Sequence, residues 1–218
     1  MQDFVKAREL MVEAQLRTAG VLKRPILDAM GAVPREVFVP ENRRTLAYAG
    51  LAHQLDNSGR FLPSPSDFGK LIQLADVQPD DVVLDVACGT GYSCAVLALV
   101  ANAVVGLEDR DELAAQANDI LARLEVGNAA VLSGPLGDGV PSEAPFDVIV
   151  IEGQVEEIPA KLLTQLKDGG RLVAVVGPGN AAIATVYVRS GDDIAERHEY
   201  SATLPILTEF RRPPAFQL

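Results

Sequence analysis

Histidine and cysteine are scarce in this chain of 218 residues, two of each, and basic side chains are outnumbered, nineteen against thirty acidic ones. The resulting net charge of −11 opposes association with phosphate backbones and anionic lipid alike. Nucleic acid and membrane are therefore not expected as partners. Cys88 and Cys94 are too few for a disulfide framework, and their spacing is neither that of a zinc knuckle nor that of a redox pair. Both thiols are expected to be small, semi-buried packing residues in a reducing cytoplasm. An apolar run of about 18 residues is also missing, and the opening MQDFVKARELMVEAQL is interrupted by charges, so neither a spanning helix nor an export leader is expected.

Hydrophobic residues make up 48% of the chain and charged residues 22%, enough apolar surface to offset the entropy of ordering it. The length suits one domain spanning 1–218. Its first part, 1–65, reads as a helical cap and loop. Apolar residues from Phe4 to Leu16 recur near a 3.6 period with Gly20 as a stop, and a second short helix starts at Pro25 and ends at Gly31. HQLDNSGRFLPSP has no sustained period and reads as an ordered loop. From 66 to 218 helices alternate with short strands. Helices are expected at 67–75, 92–100, 111–124 and 159–166. Strands are expected at 82–86, 103–107, 129–132, 147–151 and, after the turn Asp168-Gly169-Gly170, 171–176. The runs VIVI and LVAVV predict strands covered on both faces, hence an α/β fold with a mostly parallel sheet, and the alternating C-terminal segments predict an antiparallel addition at its edge.

In VLDVACGTGY the strand at 82–86 runs into Gly89 and Gly91 and then into a helix, which opens a ligand crevice at the strand's carboxyl end. Glycine there lets a ligand approach the backbone. Glu108 ends the next strand, 23 residues after Asp85, where a carboxylate can accept from both ribose hydroxyls of an adenosine. A nicotinamide cofactor, S-adenosylmethionine and a βαβ turn with no ligand all remain open on this pattern. The dinucleotide fingerprint wants a third small residue where Cys94 stands, and two histidines offer no evident proton relay. A methyl donor carries no pyrophosphate, and Asp85 suits its amino group.

RELMVEAQL (8–16), ILDAMGAVPREVFVP (26–40), LAYAG (46–50), APFDVIVIEG (144–153) and IPAKLLTQLKDGGRLVAVVG (158–177) extend the pattern far beyond the glycine loop. On these segments the chain resembles the protein-L-isoaspartate (D-aspartate) O-methyltransferases. The resemblance implies a Rossmann-like class I methyltransferase fold, S-adenosylmethionine as cofactor, and methyl transfer to the carboxyl of isoaspartyl residues in damaged protein, with no metal. Carried over residue by residue, it assigns the cofactor to Asp85, Ala87, Gly89, Gly91, Tyr92, Glu108, Gly134 and Leu136. The acceptor side departs from the family. Its G-Q-T-I-S-x-P motif falls on Gly59 to Pro65, so Pro63 stands at the serine position, Ser64 becomes the candidate for a catalytic role, and Arg60 replaces glutamine as a candidate partner for a substrate carboxylate. The family's G-D-G falls on Gly134, Pro135 and Leu136, with Asp138 three residues on, and the fourth strand ends in Glu152-Gly153-Gln154. These departures keep two alternatives open: a methyltransferase with another substrate, or a cofactor-binding protein that no longer catalyses and acts through its tail, FRRPPAFQL.

Overall fold

The computed structural model describes residues 3–57 and 59–211. Two helices, α1 (Phe4–Met11) and α2 (Arg24–Ala32), are followed by a short antiparallel hairpin of β1 (His53–Gln54) and β2 (Phe61–Leu62), and by α3 (Pro65–Ala75). The chain continues as β3 (Val82–Val86), α4 (Tyr92–Leu97), β4 (Ala103–Glu108), α5 (Asp111–Arg123), β5 (Ala129–Ser133), β6 (Phe146–Val155), α6 (Ala160–Leu163), β7 (Leu166–Val176), β8 (Ile183–Ser190) and β9 (Asp193–Ser201). One sheet takes the order β5-β4-β3-β6-β7-β8-β9, parallel through β7 and antiparallel at its last two strands. The expected architecture is borne out, with two antiparallel strands at the edge.

Strand residues alternate between two cores. Val83, Val148, Val150, Val173 and Val175 pack under α1 to α5, while Leu84, Val86, Ile149, Ile151 and Leu172 pack with Leu162, Leu136, Leu207 and Phe210 on the other face. Burial on both faces explains why these strands read as continuous apolar runs. The strand order reverses between β4 and β6 around β3, and in such sheets a crevice opens at the carboxyl ends of the strands flanking that point.

Several expectations shift: β7 begins at Leu166 and takes in the expected turn Asp168-Gly169-Gly170, and α4 and α6 are shorter than expected, ending at Leu97 and Leu163. Gly31 does not stop α2, which runs to Ala32 and ends before Pro34; a Cβ at Gly31 would meet only Val12 at 3.6 Å, so a glycine in this helix is a packing position rather than a cap. The segment read as a loop contains the β1–β2 hairpin, two residues per strand, too short for any period to register. β6 continues past the carboxylate at 152 to Val155 because the Gln154 backbone pairs with the C-terminal segment, its N–H donating to Pro205 O at 3.0 Å and its carbonyl accepting from Leu207 N at 2.9 Å. Among the described residues no helix is long and apolar enough to cross a membrane.

Candidate functional site

At the carboxyl end of β3 the backbone turns through three left-handed residues, Ala87 (φ 64°), Gly89 (φ 57°) and Gly91 (φ 86°). Ala87 stands where the family motif has glycine and bears a Cβ in a region that costs an L-residue about 1–2 kcal/mol; its N–H donates to Leu107 O at 2.8 Å, which pins it there. Asp85, fully buried below this turn, accepts from Cys94 Sγ at 3.1 Å through one oxygen, while Oδ1 has no hydrogen-bond partner. Burial pushes its carboxyl up to about 6, against hydrogen bonds from Ser93 and Cys94. The two thiols are fully or almost fully buried and lie with the Asp85 carboxylate within 4.8 Å. Gly106 on β4 makes room for them, since a Cβ there would sit 2.7 Å from one sulfur and 3.0 Å from the other.

Glu108, at the end of β4, is fully buried and accepts from Gly89 N at 2.8 Å, Asp109 N at 3.1 Å and Arg110 N at 3.2 Å. Its fourth donor comes from 48 residues away: Arg60 Nε at 3.1 Å, with Arg60 Nη2 on Asp109 at 2.7 Å. Burial pushes the Glu108 carboxyl upward, and the guanidinium pulls it back. Arg60 was expected to meet a substrate carboxylate. Its guanidinium, 2% exposed, is instead committed to the acids at the end of β4, because the hairpin folds over the glycine turn and carries it there. Leu55 of the same hairpin fills the space over Gly89, where an added Cβ would lie 2.5 Å from Leu55 Cδ1. The C-terminal segment joins this cover through Glu209, which meets Arg110 at 2.7 Å and Arg60 at 3.7 Å.

The remaining assigned residues divide. The Gly134 N–H donates to the Glu108 carbonyl at 3.0 Å, whereas the Leu136 side chain belongs to the second core and Asp138 pairs with Lys161 at 2.6 Å on the surface. Tyr92 starts α4, but its ring is buried between Phe38 and Phe68, both at 5.5 Å. Ser64 is the N-cap of α3, accepting from Asp67 N at 3.2 Å and donating to Asp67 Oδ2 at 2.6 Å. A serine preceding Pro at N1 and an acid at N3 is a cap signature. Ser64→Ala is therefore expected to lower stability by about 1 kcal/mol in chemical denaturation; changed reactivity at an unchanged midpoint would return the hydroxyl to chemistry. Of the tail, Phe210 is buried in the second core, and residues 212–218 lie outside the described part.

Sequence reasoning passed over a buried polar group behind the glycine turn. Arg35 is fully buried, donating to Ala47 O at 2.9 Å and to Pro63 O, with its guanidinium 4.9 Å from the Tyr92 ring centroid. Its charge is felt by His53, whose imidazole burial pushes down to about 4, and by Glu152. Among the described residues nine buried side-chain polar atoms lack a partner. Seven belong here: Arg35 Nη1, both His53 nitrogens, Asp85 Oδ1, Tyr92 OH and both Glu152 oxygens. Buried polar atoms are nearly always paired, so this concentration sets apart a buried polar cluster behind the glycine turn. By contrast, an apolar cavity of about 620 Å³ lined by Lys23, Ile72, Val77, Leu97 and Leu99 lies before β3 and β4, at the opposite ends of the strands.

Comparison with known proteins gives a consistent result. The family model for protein-L-isoaspartate(D-aspartate) O-methyltransferase matches residues 6–207. Protein-L-isoaspartate O-methyltransferase 2 of Anaeromyxobacter sp. is 40% identical over 192 residues, covering 88% of this chain and 79% of the relative. A protein-L-isoaspartate O-methyltransferase of Methanoculleus marisnigri is 38% identical over 173 residues, 79% of this chain and 78% of its own. Among solved structures, a protein-L-isoaspartate O-methyltransferase superposes with a TM-score of 0.80 at 24% identity, over 92% of this chain and 65% of that one. A putative Plasmodium falciparum enzyme of the same description, in complex with S-adenosyl-L-homocysteine, superposes with 0.79 at 18% identity over 96% and 100%. At those identities the structural likeness speaks for the fold.

Proposed function

The chain belongs to the protein-L-isoaspartate(D-aspartate) O-methyltransferase family, and on that premise we propose that it transfers a methyl group from S-adenosylmethionine to the α-carboxyl of isoaspartyl residues in damaged proteins. The observation that carries the reading is the pairing of an unpartnered, buried Asp85 oxygen with Glu108 across the glycine turn. A cationic amino group and a ribose diol complement those two acids. Residues 1–65 serve as the cap on this cofactor-binding core.

The cofactor, when bound, supplies an electrophilic methyl on a sulfonium: the S–CH3 bond breaks, its electron pair stays on sulfur, and an O–CH3 bond forms. The acceptor carboxylate is already ionised at neutral pH, so the protein has no proton to remove. Its contribution is alignment and exclusion of water. Asp85 would take the amino group, Gly89 and Gly91 let the ligand lie against the backbone, and Glu108 would take the ribose hydroxyls once Arg60 turns to Asp109 and Glu209, which it already touches. Leu55 and Arg60, on one hairpin, would leave together and close again as a cover.

Incubation with labelled S-adenosylmethionine and an isoaspartyl peptide, beside its aspartyl twin, is expected to give base-labile methyl ester on the isoaspartyl peptide alone. Tight binding of S-adenosylhomocysteine with no ester on that peptide would sink the reading. It would favour a second one, a methyltransferase with a different acceptor, whose supporting observation is the use of Ser64 as a helix cap beside Pro63.

A further inference from the structure

Glu152 is the most unusual residue of this buried polar cluster. It follows Ile151, which pairs with Val86, the last residue of β3. On the β7 side the register jumps: Val150 faces Val173 and Gln154 faces Val175, so four steps along β6 match two along β7, and Glu152 sits within the excess. Such bulges re-aim a side chain and gather beside active sites. Both neighbours are fixed. Ile151 is in the second core, and Gly153 lies against Leu207, where a Cβ would come within 2.6 Å of a side-chain carbon. Glu152 itself is 5% exposed, yet neither carboxyl oxygen has a hydrogen-bond partner.

An acid buried this way serves no packing purpose: an unpaired ionised carboxylate is costly, and an apolar residue would be cheaper. The groups that face it are Asp85 at the end of β3, Cys88 in the turn after it, and Arg35 behind Pro63; Tyr92 and His53 in turn face Arg35. Burial, reinforced by Asp85 and opposed by Arg35, holds the Glu152 carboxyl well above the usual range. Both unpartnered oxygens thus lie beside the acid that would hold the methyl donor's amino group, where burial favours the protonated form over the ionised one.

We propose that Glu152 determines acceptor specificity: its buried, unpartnered carboxyl group donates a hydrogen bond to one oxygen of the acceptor's carboxylate, leaving the other oxygen free to attack the methyl group. The idea rests on the methyl-transfer reading above. It assigns to β6 the polar contact that Pro63 is unable to make. Because the folded-state value is raised, the donor is present below that value. It is lost as pH rises through that value, when two carboxylates would repel.

The test uses the full chain and two variants. Glu152→Ala is expected to raise the KM for the isoaspartyl peptide about 10- to 100-fold, the range for a hydrogen bond to a charged group, with kcat much less affected. Glu152→Gln, which keeps a neutral donor, is expected to recover most of that loss and to abolish the rise of KM with pH. Independently of turnover, the infrared difference between wild type and Glu152→Gln, each saturated with S-adenosylhomocysteine, should contain a protonated carboxyl band that shifts when the peptide is added. A shift without ester formation would uphold the contact while defeating the reaction. Ester formation with an unshifted band, or with KM unchanged in Glu152→Ala, would overturn the contact and leave the reaction standing. Neither shift nor ester would defeat both.

Discussion

Glu108→Ala is expected to lose measurable binding of S-adenosylhomocysteine and to cost about 3–4 kcal/mol of folding stability, towards the lower end of what breaking a buried ion pair costs. The reason is what remains behind. Arg60, 2% exposed, keeps Asp109 at 2.7 Å and Glu209 at 3.7 Å, which holds the loss below that of an isolated buried cation. The amides of Gly89, Asp109 and Arg110 lose their acceptor at the same time. Burying the pair carried its own desolvation cost, so Arg60→Met combined with Glu108→Leu should recover much of the stability of the single variant. It should recover none of the ligand affinity, because only the carboxylate accepts from ribose. Urea midpoints and calorimetric titration with S-adenosylhomocysteine read the two quantities separately. An unchanged midpoint in Glu108→Ala would mean that the Arg60 contact carries no energy. Unchanged affinity would remove Glu108 from the cofactor site.

The two acids proposed to hold the cofactor were legible in the sequence because their signal is local. Asp85 is the penultimate residue of one short apolar strand and Glu108 the last of the next, and the boundaries expected for β3 are those observed. What escaped depends on contacts that no local pattern encodes. Arg60 reaches Glu108 across 48 residues through a hairpin whose strands are two residues long. Arg35 sits in PREVFVP, a segment whose charged residues give no local sign of burial, and only the fold reveals it to be fully buried. Glu152 interrupts an apolar run and so reads as a strand end, whereas β6 runs on because its partner is the distant C-terminal segment. Ser64 is the opposite case. The arrangement Ser64-Pro65-Ser66-Asp67 carries the cap signal in plain view, and reading the serine against a catalytic motif drew attention away from it.

Arg35→Leu is the other substitution expected to have a large effect, about 3–5 kcal/mol of lost stability, comparable with the worst core truncations although the side-chain volume is largely kept. Two carbonyls, those of Ala47 and Pro63, would be left buried without a donor, and the Tyr92 ring would lose the cation stacked 4.9 Å from its centre. Glu152 and Asp85 would then face each other with no positive charge behind them, which raises the Glu152 carboxyl further. Arg35→Lys should rescue little, since one ammonium does not reproduce a fork that spans two carbonyls while sitting over a ring. The Pro63 carbonyl is also the tether between β2 and the start of α3. Releasing it frees the hairpin that carries Leu55 and Arg60, so amide exchange in residues 53–62 should accelerate more than in β3 or β6. Hydrogen exchange by mass spectrometry, alongside the denaturation midpoint, separates this from general loosening. Equal acceleration in the sheet and the hairpin would mean that Arg35 only supports the core. Selective acceleration would make it the hinge pin on which access to Glu108 turns.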